Sequence, residues 1–295
     1  MQLIPFDNRE GFIWMNGSVL QWNQAKIHVL NHGLHYGSCV FEGIRVYNRK
    51  IFKLREHIER LFFSAKILDL DIPYKHEELI EFTELIVKKQ NIEDGYIRPV
   101  VWRGSEMMAI SSKEASINIA IAAWKWPSYF SPEKILRGIN MSIAEWKRPP
   151  PECAPTNSKA AGLYMICSLS KHKAESKGFD DALMLDYRNF IAEATGANIF
   201  FKDDQGGLHT PIPDSFLDGI TRREVIKIAK RKGIKVFERK IKPEEMKNFV
   251  GCFLTGTAAE VTPVSQINDY EFKVCNVISD LNDSYQSLVR KDTAA

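Results

Sequence analysis

The sequence predicts a mixed α/β (α+β) protein of two domains, and three observations predict it. Hairpin signals and two amphipathic helical periods fill the first half, short apolar strands alternate with helices in the second, and a proline- and aromatic-rich stretch separates them. The expected bounds are a smaller domain over residues 1–124, an interdomain loop over 125–137 and a larger domain over 138–295. At 295 residues the chain is long enough for each part to bury its own core.

The elements follow in order. FIWMNGSVLQW reads as two strands about Asn16-Gly17, the dipeptide best suited to a type I′ turn. The run Cys39 to Tyr47 reads as one strand, turning at Asn48-Arg49 into Ile51-Phe52. In REHIERLFFSAKIL, Ile58, Leu61, Phe62, Ala65 and Leu68 share one helical face, and a second amphipathic helix covers about 76–89. YIRPVVW and SINIAIAAW are strands. Lys125 to Ser131, with Trp126, Pro127, Tyr129 and Phe130, is the connection, followed by Pro132. Beyond it come a strand near 139–146, the segment RPPPECAPTNSK, and a helix from about Lys159. FLDGITRREVIKIAK predicts a helix with Val225, Ile228 and Ala229 inward, and CFLTGTAAEVTPV predicts an apolar strand running into a turn.

Composition narrows the partners. Forty Lys and Arg against 37 Asp and Glu give no field that would gather nucleic acid or anionic lipid. No apolar run approaches the roughly 18 residues of a membrane span. The start, MQLIPFDNREGFIW, lacks the basic and apolar regions of a secretory signal, so the expected location is cytoplasmic. Five cysteines without CxxC spacing suit free thiols in a reducing compartment. His28, His32 and His35 lie at helical spacing, but two glycines and no spaced carboxylate surround them, so no metal site is expected. The basic run Lys227 to Lys242 reads as a solvated helix face. A small-molecule partner remains.

The chemistry centres on Lys159 and Glu193. A lysine amine can condense with an aldehyde cofactor, and a buried carboxylate can keep a pyridine nitrogen protonated, the pairing used with pyridoxal phosphate. A phosphate also needs main-chain amides at a helix start or turn, usually with an arginine. Three segments offer these: the amides of Ile220 and Thr221, the turn Gly256-Thr257-Ala258, and Arg60 on an otherwise apolar helix face. Thr221 with Glu224 also fits a capping box, a purely structural reading that stays open here.

The ordered motifs HGLHYGSCVFEGIRVY, REHIERL, YIRP, SKAAGLY, IAEATGANIF, LDGITR and TGTAAEVTPV, across about residues 12–266, resemble the fold-type IV pyridoxal phosphate enzymes and specifically the branched-chain amino acid aminotransferases. That resemblance implies Lys159 as the Schiff-base lysine, Glu193 as partner of the pyridine nitrogen and Tyr164 beside the ring's phenolic oxygen. It implies Arg60, the amides of Ile220 and Thr221 and the Thr257 hydroxyl as the phosphate cup. It further implies substrate contacts from Phe41, Tyr96, Trp126 and Tyr129 in the side-chain pocket, Arg98 on the distal carboxylate of glutamate, the amides of Thr257 and Ala258 on the α-carboxylate, and Tyr36 from a second subunit. The implied activity is ping-pong transamination between leucine, isoleucine or valine and 2-oxoglutarate, by a homodimer or higher homo-oligomer. The alternatives are a D-amino acid aminotransferase of the same fold type, or a non-catalytic pyridoxal phosphate- or metal-binding protein. Ala197 stands where the family commonly has glutamate, and Asn157-Ser158 where it has small residues, departures that bear on pocket geometry.

Overall fold

A computed structural model describes residues 4–126 and 130–290. The chain divides into two compact units, Met1–Pro127 with Ser158–Gly162, and Ser128–Asn157 with Leu163–Ala295.

In the first unit, β1 (Phe12–Met15) and β2 (Ser18–Gln21) form the expected hairpin, with Asn16 and Gly17 both at positive φ. The five-residue helix α1 (His32–Tyr36) precedes β3 (Cys39–Phe41), β4 (Ile44–Tyr47) and β5 (Lys50–Ile51). Next come α2 (Leu54–Ile67), α3 (His76–Lys89), β6 (Gly95–Arg103) and β7 (Ile117–Lys125). The sheet runs β2-β1-β7-β6-β4-β5, with β3 also paired to β6, and these pairings are antiparallel. Ile58 and Leu61 of α2 and Leu79 and Ile86 of α3 pack with Ile44, Val46, Ile97, Val101, Ile119 and Ile121 of the sheet. Burying each such side chain stabilises by about 1.5–3 kcal/mol.

The expected single strand from Cys39 to Tyr47 is two. Both pieces pair with β6 in one continuous register, and the Glu42 amide still donates to the Pro99 carbonyl at 2.9 Å, but Pro99 has no N–H to donate back, so the ladder is interrupted at Glu42 and Gly43 while the Glu42 side chain is buried. A Cβ on Gly43 would lie 1.9 Å from the Tyr96 hydroxyl, so glycine leaves the room that Tyr96 occupies.

The second unit begins its described part with α4 (Pro132–Arg137), capped by the Ser131 hydroxyl, which accepts from the Lys134 amide at 3.4 Å. These residues fall in the stretch expected to be loop. Proline at the first helical position and a serine cap are start signals that the proline-rich reading overlooked. There follow β8 (Ile139–Ile143), α5 (Tyr164–Ser176), β9 (Asp181–Leu185), β10 (Ile191–Ala194), β11 (Asn198–Asp203) and β12 (Leu208–Thr210). The unit ends with α6 (Ile220–Arg231), β13 (Val236–Glu238), β14 (Phe249–Gly256), β15 (Glu260–Ile267), β16 (Tyr270–Glu271) and α7 (Asn276–Arg290). Its sheet is ordered β10-β9-β8-β15-β14-β11-β12-β13, with β16 on β15. The β8 pairings with β9 and β15 and the β12–β13 pairing are parallel.

Lys159 does not open a helix. Ala160 bridges Val40, the Lys159 carbonyl accepts from the Phe41 amide at 3.2 Å, and only at Tyr164 does α5 begin. Between Lys159 and Glu193 lie that helix and β9. Ser158–Gly162 also groups with the first unit, not with the second in which the sequence reading placed it. Ser64 on α2 is the clasp: its hydroxyl accepts from the Lys159 amide at 3.0 Å and its carbonyl accepts from the Ser158 hydroxyl at 3.2 Å. Ser64→Ala would leave the Lys159 amide without that acceptor. We expect a loss of about 1–3 kcal/mol in urea unfolding and faster hydrogen exchange at Lys159, with neighbouring α2 amides still protected.

Candidate active site

In the first unit Lys159 lies by a polar stripe on α2 and by the Phe41 ring of an aromatic group. On α2, His57, Arg60 and Ser64 recur at helical spacing beside the apolar stripe of Ile58, Leu61 and Ala65. The stripe faces Glu42, whose side chain is fully buried. Arg60 grips that carboxylate as a fork, Nε to Oε1 at 2.6 Å and Nη2 to Oε2 at 2.9 Å, and His57 Nδ1 lies 2.7 Å from Oε2. Burial pushes the Glu42 carboxyl up, but Arg60 and His57 together hold it well below the usual carboxylate range. Burial lowers His57, against the opposing pull of Glu42, with Arg60 and Lys159 adding to the lowering. His57 is therefore neutral, with its Nδ1 proton donated to Glu42.

Phe41, Tyr96 and Trp126 form the aromatic group, with Arg98. The Lys159 amine lies 5.1 Å from the Phe41 ring centroid, and the Arg98 guanidinium lies 4.6 Å from the same ring. Arg98 Nη2 donates to the Tyr96 hydroxyl at 3.0 Å, and Tyr96 meets Trp126 edge-on at 4.5 Å. Arg98 has no carboxylate partner among the described residues, and its Nε is buried without an acceptor. An uncompensated guanidinium in an apolar lining is costly to a protein alone and favourable to a carboxylate ligand.

The second unit carries its own cluster. Glu193 on β10 is buried; its Oε1 lies 3.6 Å from Arg148 Nε, and its Oε2 accepts from Asn198 Nδ2 at 3.2 Å. Arg148 also donates to the Ser215 carbonyl and to the Cys167 sulfur, and burial pushes that thiol up to about 11. Asn198 continues to the start of α6, accepting from the Gly219 amide at 3.1 Å. Gly219 is the N-cap, so Thr221 lies inside the helix, and no side chain caps its first turn. The capping-box reading of Thr221 and Glu224 thereby fails. Ile220 and Thr221 are both buried, and a buried helix start without caps calls for another acceptor. Thr255, directly opposite Asn198 on β14, has a buried hydroxyl without a partner among the described residues.

The sequence-derived residues thus fall into two groups. Phe41, Arg60, Tyr96, Arg98, Trp126 and Lys159 belong to the first unit, and Tyr164, Glu193, Ile220, Thr221, Thr257 and Ala258 to the second. Tyr164 opens α5, and Thr257 and Ala258 sit in the turn between β14 and β15. Tyr36 stands half exposed at the end of α1, its ring tilted over His32 with centroids 4.5 Å apart. Tyr129 lies outside the described residues. Arg60, which the resemblance assigns to a phosphate, is bonded here to the carboxylate of Glu42. Sequence reasoning missed Glu42, His57, Ser64, Arg148 and Asn198. A lone acid inside the apolar run VFEGIRVY, and three polar residues at helical spacing along α2, were the available signals. The three histidines bond elsewhere: His32 to Ser38 and the Ala109 carbonyl, His35 to the Val29 carbonyl, and His28 to the Leu30 amide.

The family described as Amino-transferase class IV matches residues 39–267. A "Probable branched-chain-amino-acid aminotransferase" of Rickettsia felis is 45% identical over 268 residues, 91% of each chain. The "Branched-chain-amino-acid aminotransferase" of Escherichia coli (strain K12) is 37% identical over 262 residues, covering 87% of this chain and 85% of its own. The T.th. branched-chain amino acid aminotransferase, solved with pyridoxamine 5'-phosphate, superposes with a TM-score of 0.92 at 36% identity over 95% of this chain and 94% of that one. It has also been solved with 4-methylvaleric acid and with N-(5'-phosphopyridoxyl)-L-glutamate. The chain belongs to the class IV aminotransferases, and within that class to the branched-chain-amino-acid aminotransferase family.

The Glu42 and His57 shifts set a direction for acid stability. His57 binds its proton more readily unfolded, so stability falls as pH drops below about 6.5. Glu42 stabilises above about 4.3, and that contribution is lost as pH falls further, through its depressed folded value. His57→Gln keeps a donor for Glu42 but removes the titration. Its melting midpoint should change less between about pH 7.5 and about pH 5.5 than that of the parent; equal changes would place the titrating group elsewhere.

Proposed function

We propose that the protein transfers amino groups reversibly between branched-chain L-amino acids and 2-oxoglutarate, with pyridoxal phosphate as cofactor. The observation that carries the reading is Arg98, a cation without a carboxylate partner among the described residues, set into an aromatic lining. Such a lining accepts leucine, isoleucine or valine with little desolvation, and the guanidinium offsets the burial of glutamate's second carboxylate. One pocket then serves both substrates in turn. The relatives' names and the L-glutamate adduct of the T.th. structure favour this over a D-amino acid aminotransferase or a non-catalytic binding protein.

The residues fit the cofactor. The uncapped amides of Ile220 and Thr221, with Arg60 and the Thr257 hydroxyl, would hold its phosphate, and the orphaned Thr255 hydroxyl lies on the same sheet face as Asn198. Glu193 would accept the pyridinium N–H and keep that proton in place, and Tyr164 would hydrogen-bond the phenolic oxygen. Bound there, pyridoxal phosphate supplies an aldehyde for amine exchange and a ring that withdraws electrons from the reacting carbon. Lys159 Nζ would anchor the cofactor through its aldehyde and, when free, would take up the substrate's α-proton and hold it for return to the carbon on the far side of the shared nitrogen. The amides of Thr257 and Ala258 orient the α-carboxylate, and Phe41, Tyr96, Trp126 and Tyr129 exclude water.

Assembly as a homodimer belongs to the same proposal. Val29, Leu30 and Leu34 are exposed together with Tyr36, and Ile110 is 84% exposed on a segment that the His32 ring ties to α1 through Ala109. A second copy is the occupant that would bring Tyr36 to a substrate pocket. A cytoplasmic location is proposed too; no helix of the described residues is long and apolar enough to cross a membrane.

The test is a set of half-reactions followed by absorbance. Each L-amino acid should discharge the bound aldehyde and its D form should not; discharge by D forms alone would establish the rival. Lys159→Ala should lose steady-state turnover and the cofactor attachment that borohydride fixes. Arg98→Ala should slow the 2-oxoglutarate half-reaction at least about tenfold more than the leucine half-reaction; equal losses in single turnovers would reject the shared pocket.

A further inference from the structure

Asn198 is buried and opens β11, and both polar atoms of its side chain are engaged. Nδ2 donates to Glu193 Oε2 at 3.2 Å and to the Leu217 carbonyl at 3.0 Å, while Oδ1 accepts from the Gly219 amide at 3.1 Å. The two main-chain partners decide which end is nitrogen, because an amide hydrogen at Gly219 needs an oxygen and a carbonyl at Leu217 needs a donor. Glu193 is consequently presented with an N–H, which favours its ionised form. The approach is close: a Cβ at residue 219 would lie 2.2 Å from Asn198 Oδ1.

We infer that Asn198 is a positioning residue that couples the carboxylate serving the pyridine nitrogen to the turn serving the phosphate. The inference rests on the cofactor reading above and adds to it a mechanical connection. Ring nitrogen and phosphate are parts of one small rigid molecule, so their two protein partners must keep a fixed separation. A single planar amide touching both partners imposes that separation without any intervening flexible segment. The same side chain presents an N–H to Glu193 Oε2 and so fixes the orientation of the carboxylate that would meet the ring nitrogen. Ala197 and Gly196 precede Asn198, and neither supplies a side-chain group that could substitute.

The test uses the full chain as purified, the variants Asn198→Ala and Asn198→Asp, and two probes. Asn198→Asp is isosteric and keeps the acceptor for Gly219 while turning an oxygen towards Glu193 and Leu217. Inorganic phosphate binding to the cofactor-free chain, read by thermal shift, should weaken about tenfold in Asn198→Ala. The pH midpoint of the bound cofactor's absorbance should move in both variants. In a cycle with Glu193→Gln, the phosphate losses should be non-additive, because Glu193 reaches the turn through Asn198. Weakened phosphate binding with an unmoved spectral midpoint, or additive losses in the cycle, would reduce Asn198 to a brace for its own turn and overturn the inference. Absence of pyridoxal phosphate binding by the unmodified chain would instead remove the cofactor reading, a distinguishable result.

Discussion

A carboxylate with no exposure to water, Glu42, sets the architecture of the first unit's polar cluster. Removing such a charge from solvent costs several kcal/mol unless its lone pairs are met by fixed donors. The Arg60 fork and the His57 ring meet them. Satisfying Glu42 fixes which face of α2 turns towards the sheet; the break between Phe41 and Ile44 falls opposite Pro99, which has no N–H for the ladder. The same face brings Ser64 to the Lys159 amide, so the Lys159 segment is clasped by the helix that the ion pair has oriented. Packing of Ile58 and Leu61 supplies the larger share of stability, but it tolerates small rotations of the helix. The charged cluster does not.

Arg60 and Arg98 show how one residue type serves two ends. Arg60 is held by a protein carboxylate, which fixes its guanidinium plane in advance and tempers the positive charge around it. Arg98 leans on the Phe41 and Tyr96 rings and donates to a neutral hydroxyl, with no carboxylate among the described residues to meet it. A cation stacked on aromatics is partly stabilised by the ring faces yet keeps most of its demand for an anion. That difference suits a rigid group on one side and an exchangeable substrate on the other.

Much of this was legible in the residues. The Asn16-Gly17 hairpin, the two helices of the first unit and the turn after β14 follow from local periodicity and turn chemistry, and the structure has all of them. The resemblance carried by SKAAGLY and TGTAAEVTPV agreed with the family match. Local reasoning went wrong at three places: in the run Cys39 to Tyr47, interrupted opposite Pro99 of a distant strand, at Lys159, drawn beside a β-bridge between Val40 and Ala160, and at Pro132–Arg137, where a local helix start, proline at the first position after a serine cap, was passed over.

The chain by itself determined which groups could act: an amine at 159, carboxylates at 42 and 193, guanidinium groups at 60 and 98, and the faces on which they would lie. Only the tertiary structure decided how they are partnered. It joined Glu42 to Arg60 across 18 residues, Ser64 to Lys159 across 95, and Asn198 to Gly219 across 21. Periodicity records which side of an element leaves water, since every residue on that side obeys the same rule. It does not record which buried polar group will satisfy which, because that pairing is settled by the cost of leaving any one of them unmet once the elements have packed.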